Sequence, residues 1–375
     1  MGRPTVATVS LGAIQANLRA VQDVLAERPS PPGVIAVVKA NAYGHGAARV
    51  GPALESAGAS MLACADIEEG TTLREAGVTI PILVFGALSV SDLAGVFVHR
   101  LTPTVSTPAA ARALEEAAAA RTTQLRCHLK IDTGMNRLGF RGDNLRRTMP
   151  AVLGSRHLEL AAVYTHFATA DLPESPFLEE QRVRFGHALA ALGAMGLTGV
   201  RTHAANSAAL LRDTRTWLDW VRPGLLLYGI VPPPLAAANL ALRPALSLTS
   251  RIVAVKGVRP GEGTGYGLRW TTDEPRSIAI VPAGYADGLD TRLANRASAL
   301  VRGRRVPIVG SVCMDMITLD VTSLDVSPGD EVVIIGEQGG ESITAREMAA
   351  AIGAIPWEIV CRLGSRIERQ YTAAG

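Results

Sequence analysis

A (β/α)8 barrel followed by a mainly β domain is the fold that this 375-residue sequence predicts. Three observations predict it. Eight short apolar runs recur before about residue 230, each followed by a helical pattern, and eight β-then-α units in a row close into a parallel barrel. The stretch "VPPPLAAANLALRPALS" breaks that alternation near residue 240. Beyond it, short segments rich in Val, Ile and Thr are separated by turns, the pattern of a β domain. The expected domains are therefore residues 1–240 and 241–375.

Taken in order, "LGAIQANLRAVQDVLAERP" reads as a helix ahead of the barrel, and the Pro-rich "PSPPG" turns the chain into the first run. The runs are "VIAVVKA" (34–40), "MLACAD" (61–66), "IPILVFG" (80–86), "LTPTV" (101–105), "RCHLKIDT" (126–133), "LELAAVYTH" (158–166), "GVRTHAAN" (199–206) and "WVRPGLLLYG" (220–229). Between them, "AARVGPALESAG", "TPAAARALEEAAAAR" and "PFLEEQRVRFGHALAALGAMG" carry apolar residues at helical spacing. In the second domain "SRIVAVKGV", "RSIAIVPAGYADG", "RVPIVGSVCMDMITLDV" and "GDEVVIIGE" read as strands. One helix, "TAREMAAAIGA", opens there with Thr344 as N-cap and Glu347 three residues on.

Apolar residues make up 48% of the chain and charged residues 19%, with a net charge of +3, the balance of an ordinary globular enzyme. No block of like charge argues for nucleic acid, and "RGRR" (Arg302 to Arg305) is short enough for a solvated turn. No apolar run reaches bilayer-spanning length and the first residues lack a signal core, so no membrane partner and a cytoplasmic location are expected. Cys64, Cys127, Cys313 and Cys361 lie far apart with no C-x-x-C pair, and read as buried or incidental thiols.

The chemistry of such a barrel sits at the C-terminal ends of its strands. The polar residues there are Lys39, Lys130 with Arg137, His166, then His203, Asn206 and Ser207, and finally Arg222 with Gly224. Lys39 ends an apolar run, where an unpaired ammonium is costly to bury. Its stem could lie along apolar surface with the head in water, or it could be a Schiff-base lysine whose pKa the surroundings lower. Tyr43 and His45 follow in a Gly-rich turn leading into a helix, which suits an anionic group. Ser207, with the backbone N–H groups of Gly224 and Leu225, stands after runs seven and eight, where this barrel recurrently binds phosphate. A carbonyl-reactive lysine beside a phosphate cradle points to pyridoxal 5'-phosphate. His166 with His203 could instead be metal ligands, but no H-x-H, carboxylate or thiolate completes that set, so no metal is expected.

"VVKANAYGHG", "HLKIDTGMNRLG", "YTHFATAD", "THAANSAA", "VRPGLLLYG", "GTGYG", "GYADG" and "SVCMDM" occur in this order across both domains. In them the chain resembles the pyridoxal-phosphate-dependent alanine racemase family over almost its whole length. The resemblance implies an isomerase that interconverts L- and D-alanine and supplies D-alanine for peptidoglycan. It also implies a homodimer in which each site draws residues from both chains. By motif, Lys39 resembles the Schiff-base lysine and one catalytic base, and Tyr266 the other base, sent from the partner. Arg137 matches the residue near the substrate carboxylate, and Arg222 the arginine on the pyridine nitrogen, with His166 and His203 around it. Tyr43, Ser207, Gly224 and Leu225 match phosphate contacts, and Asn206 joins the cofactor set. Tyr285, Met314 and Asp315 match residues that the second subunit places at the substrate entrance. Lys130 resembles a lysine that is often carbamylated to hold the neighbouring arginine.

Racemisation needs bases on both faces of the α-carbon, and an amine and a phenol supply two different ones. A guanidinium does not release its proton, so the pyridine nitrogen facing Arg222 is expected to stay unprotonated. That argues against a barrel-plus-β decarboxylase. A non-catalytic cofactor carrier resembles the barrel alone, whereas Tyr266, Tyr285 and Met314 lie in the second domain. The remaining rival is a serine or broad-specificity racemase. One departure bears on it: the family's usual tyrosine near the cofactor phosphate is here Trp357, whose larger ring can donate but not accept a hydrogen bond.

Overall fold

The computed structural model describes residues 3–86, 88, 91–236 and 240–373. The chain forms two compact units: one holds Gln15–Ala42 and Ala47–Leu242, the other the chain up to Ile14, Tyr43–Gly46 and the chain from Arg243 onward.

All eight apolar runs form strands of the first unit: Gly33–Val37, Met61–Cys64, Ile82–Val84, Thr102–Val105, Leu125–Asp132, Leu158–Tyr164, Arg201–Asn206 and Trp220–Arg222. Each pairs in parallel with the next, and strand eight returns to strand one with Trp220 opposite Gly33, which closes the barrel. Closure explains the glycine. A Cβ at Gly33 would lie 2.5 Å from the Trp220 indole, so only the residue without one lets these strands meet.

Local chemistry sets the helix ends. Asp66 caps Ile67–Glu75 by accepting from the Glu69 amide at 2.8 Å, and Thr107 caps Pro108–Ala119 by accepting from Ala110 at 3.0 Å, with proline in the first turn. No described helix is long and apolar enough to cross a membrane. Cys64 and Cys127 are buried, Cys313 is half-buried and Cys361 is exposed; all four are free thiols.

The second unit is built on a mostly antiparallel sheet. Its strand order is Ala254–Val258, Arg276–Val281, Ile317–Asp320, Arg304–Val309, Ser298–Val301, Glu331–Gln338, Leu246–Arg251, Val6–Ser10 and Glu368–Thr372, with Glu341–Ile343 branching from Glu331–Gln338. Val6–Ser10 pairs antiparallel with Leu246–Arg251 and parallel with Glu368–Thr372. "RGRR" makes the tight turn between two strands, with Arg302 and Gly303 at φ 50° and 73°. Thr344 caps Ala345–Ile352 through the Glu347 amide at 3.1 Å, but the reciprocal half of the capping box is absent. The Glu347 carboxylate pairs with Arg305 instead.

Candidate active site

Strand one delivers Lys39 to the barrel mouth. The Val37 amide donates to the Pro223 carbonyl at 3.0 Å and the Val38 amide to Ala63 at 2.8 Å, so neighbouring strands grip the chain up to the residue before the lysine. The next four residues reverse the backbone's hand: Ala40, Asn41, Ala42 and Tyr43 have φ of 53°, 52°, 54° and 51°. A left-handed turn costs roughly 1–2 kcal/mol per residue for side chains with a Cβ. Asparagine tolerates it best, and Asn41 accepts the Ala47 amide at 2.8 Å on its Oδ1. Strain of this kind survives only where its surroundings fix it, and it gathers at functional sites.

Arg222, at the end of strand eight, is buried and engages four acceptors. Nη1 donates to His203 Nδ1 at 2.8 Å; Nη2 donates to the carbonyls of Thr165 (2.7 Å) and Ala204 (2.8 Å) and reaches His166 Nδ1 at 3.3 Å. His203 Nε2 in turn lies 3.0 Å from His128 Nδ1. The buried Tyr164 ring stacks on His203 at 4.6 Å, the Arg222 guanidinium lies 5.3 Å from its centre and the Lys130 ammonium 5.6 Å. The layer that branched apolar side chains usually fill in such a barrel is thus polar here, and the buried guanidinium in it has partners for its donors.

The electrostatics follow from burial and crowded cations. Burial, then Arg222, Lys130, Arg137 and Lys39, hold His166 well below its usual range, and burial with Arg222 does the same to His203. Burial brings His128 down to about 3. Lys130 is brought down to about 8 by burial, then by Arg137 and Arg222, with Lys39 adding to the same effect against Asp132. Arg222 falls to about 10 through burial and stays charged at neutral pH. Lys39, Arg137 and Arg222 are therefore near enough to act on both Lys130 and His166.

Arg137 is exposed on the loop after strand five. Asp132 Oδ1 shapes that loop by accepting from the amides of Gly134 (2.9 Å) and Asn136 (3.1 Å). Gln181, fully buried, ties this loop's base to the next. Its Nε2 donates to Thr133 Oγ1 (3.0 Å) and the His166 carbonyl (3.1 Å), and its Oε1 accepts from the Ala168 amide (2.8 Å).

At strands seven and eight, Asn206 caps Ser207–Arg212 by accepting from the Ala209 amide at 2.9 Å. Ser207 Oγ accepts from the Gly224 amide at 3.0 Å, which leaves the hydroxyl hydrogen to donate onward. Leu225 begins a 3-10 turn, Leu225–Tyr228, and Tyr228 donates to the Val37 carbonyl of strand one at 3.0 Å. The donor set at these strand ends fits pyridoxal 5'-phosphate. It offers an amine for the carbonyl, hydroxyl and amide N–H groups for a phosphate, and a donor-only guanidinium for the pyridine nitrogen. Among the described residues no three His, Cys, Asp or Glu side chains gather as a metal site.

In the second unit, Tyr266 sits on a turn between Gly265 and Gly267, at φ 74° and 72°, and is 79% exposed. Its carbonyl accepts from Ser311 Oγ at 2.6 Å, while the Tyr285 amide donates to Cys313 at 2.9 Å and the Ala286 amide to Met314 at 3.1 Å. Tyr266, Tyr285 and Met314 thus lie on segments tied to one another, which also carry exposed Leu268 and Met316, and Asp315 is held there by Arg366 at 2.6 Å. Trp357 lies half-buried on Pro356–Cys361. Tyr43 belongs to this unit: the neighbouring Gly44, at φ 81°, packs so closely on Pro356–Cys361 that a Cβ would sit 2.1 Å from the Val360 carbonyl. Burial, with Cys361 nearby, pushes the Tyr43 hydroxyl well above the usual range.

Sequence reasoning did not single out His128, Tyr164 or Gln181. Strand period could have found the first two, since His128 precedes Lys130 by two residues and Tyr164 precedes His166 by two. Gln181 lies inside a helix, Phe177–Ala194, and carries no such signal.

Two family models match the chain: the alanine racemase N-terminal domain over residues 9–232 and the alanine racemase C-terminal domain over residues 245–371. The alanine racemase of Symbiobacterium thermophilum is 42% identical over 370 residues, 98% of this chain and 97% of that protein. That of Halothermothrix orenii is 40% identical over 370 residues, again 98% and 97%. Among solved structures, the alanine racemase of Streptomyces lavendulae superposes with a TM-score of 0.94 at 33% identity, covering 100% of this chain and 98% of that one. That of Bacillus anthracis with bound L-Ala-P gives 0.92 at 35% identity, covering 99% and 96%.

Proposed function

This chain belongs to the alanine racemase family, and from that premise we propose that it interconverts L- and D-alanine with pyridoxal 5'-phosphate, using Lys39 and Tyr266 as two bases in a homodimer. When bound, the cofactor supplies the electron sink that makes an amino-acid α-proton removable by a side chain. Lys39 would hold its carbonyl carbon. Ser207 Oγ–H, the Leu225 amide and Tyr43 would hold its phosphate, with the Gly224 amide engaged in fixing Ser207 Oγ, Asn206 fixing the turn and Trp357 standing where the family has tyrosine.

Arg222 would donate to the pyridine nitrogen, and it is the observation that carries the reading. Its guanidinium is buried, positioned by Thr165 and Ala204 and flanked by two neutral imidazoles, so it presents a fixed donor that cannot give up its proton. Arg137 would take the substrate carboxylate, with Lys130 supporting it and His203 supporting Arg222. Lys39 then takes or returns a proton on one face of the α-carbon and Tyr266 on the other. The exposure of Tyr266, Leu268, Tyr285, Met314 and Met316, on segments joined by hydrogen bonds, supports completion of the site by a second copy, since clustered exposed apolar residues mark interaction surfaces. D-Alanine for peptidoglycan is the use that follows.

The test uses the purified protein. A yellow imine band that borohydride abolishes, together with conversion of either alanine enantiomer to the other, is the expected result. A protein that binds the cofactor yet leaves both enantiomers unchanged would overturn the reading.

A further inference from the structure

We propose that Glu69 is a positioning residue for Lys39, acting through the left-handed turn that follows the lysine; the inference rests on the role assigned to Lys39 above. Glu69 stands at the third position of helix Ile67–Glu75, after the second barrel strand. With Asp66 as N-cap, a glutamate there would ordinarily turn back to the cap residue's own amide. Glu69 does not. Its Oε1 accepts from the Ala40 amide at 2.6 Å and the Asn41 amide at 3.3 Å, and its Oε2 accepts from the Ala65 amide at 2.8 Å.

One carboxylate thus binds three backbone donors from the ends of strands one and two. Two of them are the first amides of the reversed turn. The Ala40 amide belongs to the peptide unit that carries the Lys39 carbonyl, so Glu69 pins Lys39 from its C-terminal side, while Val38 to Ala63 at 2.8 Å pins it from the other. The strained turn also needs compensation that the sequence there does not supply, because Ala40 and Ala42 have no polar side chain to offer. A charged acceptor makes stronger hydrogen bonds than a neutral one, and a single rigid carboxylate orients both amides at once.

The test compares the parent holoprotein with Glu69→Ala and Glu69→Gln by amide hydrogen exchange, followed by mass spectrometry of the 38–44 segment, and by steady-state kinetics with alanine. In Glu69→Ala, exchange at Ala40 and Asn41 should quicken by more than about tenfold while Leu62 to Cys64 keep their protection, and kcat should fall by more than about tenfold with KM little changed. Glu69→Gln keeps one acceptor oxygen and should recover part of both losses, which an indiscriminate folding defect would not; it also carries the test if Glu69→Ala fails to fold. Unchanged exchange at Ala40 and Asn41 in both variants, or a kcat in Glu69→Ala equal to the parent's, would overturn the proposal. A parent protein that does not racemise alanine would instead sink the functional reading, with the exchange comparison still judging the grip of Glu69 on the turn.

Discussion

Arg222 donates from Nη1 to Nδ1 of His203 across 2.8 Å, and this bond dictates the tautomers beyond it. A guanidinium only donates, so His203 Nδ1 must carry a lone pair and its Nε2 the hydrogen. That hydrogen points to His128 Nδ1 at 3.0 Å, which leaves His128 protonated on Nε2 as well. Nitrogen-15 spectra should therefore show both rings as neutral Nε2–H tautomers from pH 5 to 8 on the order of the usual histidine range. An imidazolium signal from either at pH 6, roughly where a free ring is half protonated, would contradict the chain of donors.

The same rings make stability depend on pH. His128 is brought down to about 3, and His166 and His203 lie well below their usual range, all chiefly through burial. The unfolded chain therefore binds more protons than the folded one below about 6.5. Stability from these groups is present in full above that pH and is lost as pH falls toward the folded values, by up to about 4 kcal/mol per pH unit for three protons. Urea titrations between pH 7 and 5 should show that slope, and His128→Asn should reduce it by about one proton's share, ~1.4 kcal/mol per unit. An unaltered slope would mean that His128 is charged in the folded protein.

The barrel was legible because each buried strand is a short apolar run closed by turn chemistry, and the polar residues that end those runs are conspicuous against it. Arg222 and His203 could be placed at the mouth for that reason. Their partners could not. Whether the guanidinium meets His166, the Thr165 carbonyl or both depends on strand stagger, which a register of parallel strands sets and a single sequence does not show. The strand Val6–Ser10 was hidden for another reason: its partners are Leu246–Arg251 and Glu368–Thr372, more than two hundred residues away. The reversed turn at Ala40–Tyr43 has no composition signal at all, since alanine disfavours the conformation and only Asn41 accommodates it.

Lys130 makes stability rise with pH in the same sense, but in an alkaline window. Its folded value, about 8, lies below that of an exposed lysine. Between about 8 and 10.5 the unfolded chain binds more protons, so the charged amine opposes folding fully below that window and the penalty is relieved as pH rises through it, roughly 3 kcal/mol in all. A lowered value also leaves some amine neutral, the form that reacts with carbon dioxide, and the resulting anion would sit among Arg137, Arg222 and Lys39. Bicarbonate should therefore add the mass of one carbon dioxide to the peptide carrying Lys130 and raise the melting temperature. Lys130→Met should abolish both effects; a melting temperature indifferent to bicarbonate in the parent would rule the modification out as a stabiliser.

Tyr266→Phe separates the two proposed bases. The side chain is 79% exposed, so losing one hydroxyl should leave the melting temperature of the chain unchanged. Racemisation should fall by about 10² to 10⁴, the usual cost of removing a general base. In deuterated water the enantiomer whose α-proton faces Lys39 should still exchange it, while exchange from the other should fail. Equal loss of exchange from both enantiomers would show that the phenol does not serve one face alone.

Trp357 stands where the family has tyrosine, and its proposed place beside the cofactor carries a prediction about substrate choice. Trp357 belongs to Pro356–Cys361, the helix whose Val360 carbonyl leaves Gly44 no room for a Cβ. A bulkier ring that donates but cannot accept leaves less space and one acceptor fewer than a phenol. A serine hydroxyl is the substrate group that would sense both changes. Differences of one small group in a pocket are worth about 1–3 kcal/mol. Trp357→Tyr should accordingly shift the alanine-to-serine ratio of kcat/KM by roughly tenfold, toward serine because the acceptor is restored. Identical ratios in the two proteins would place Trp357 outside the determinants of substrate choice and leave its effect to cofactor affinity, which equilibrium dialysis of the same pair would then measure.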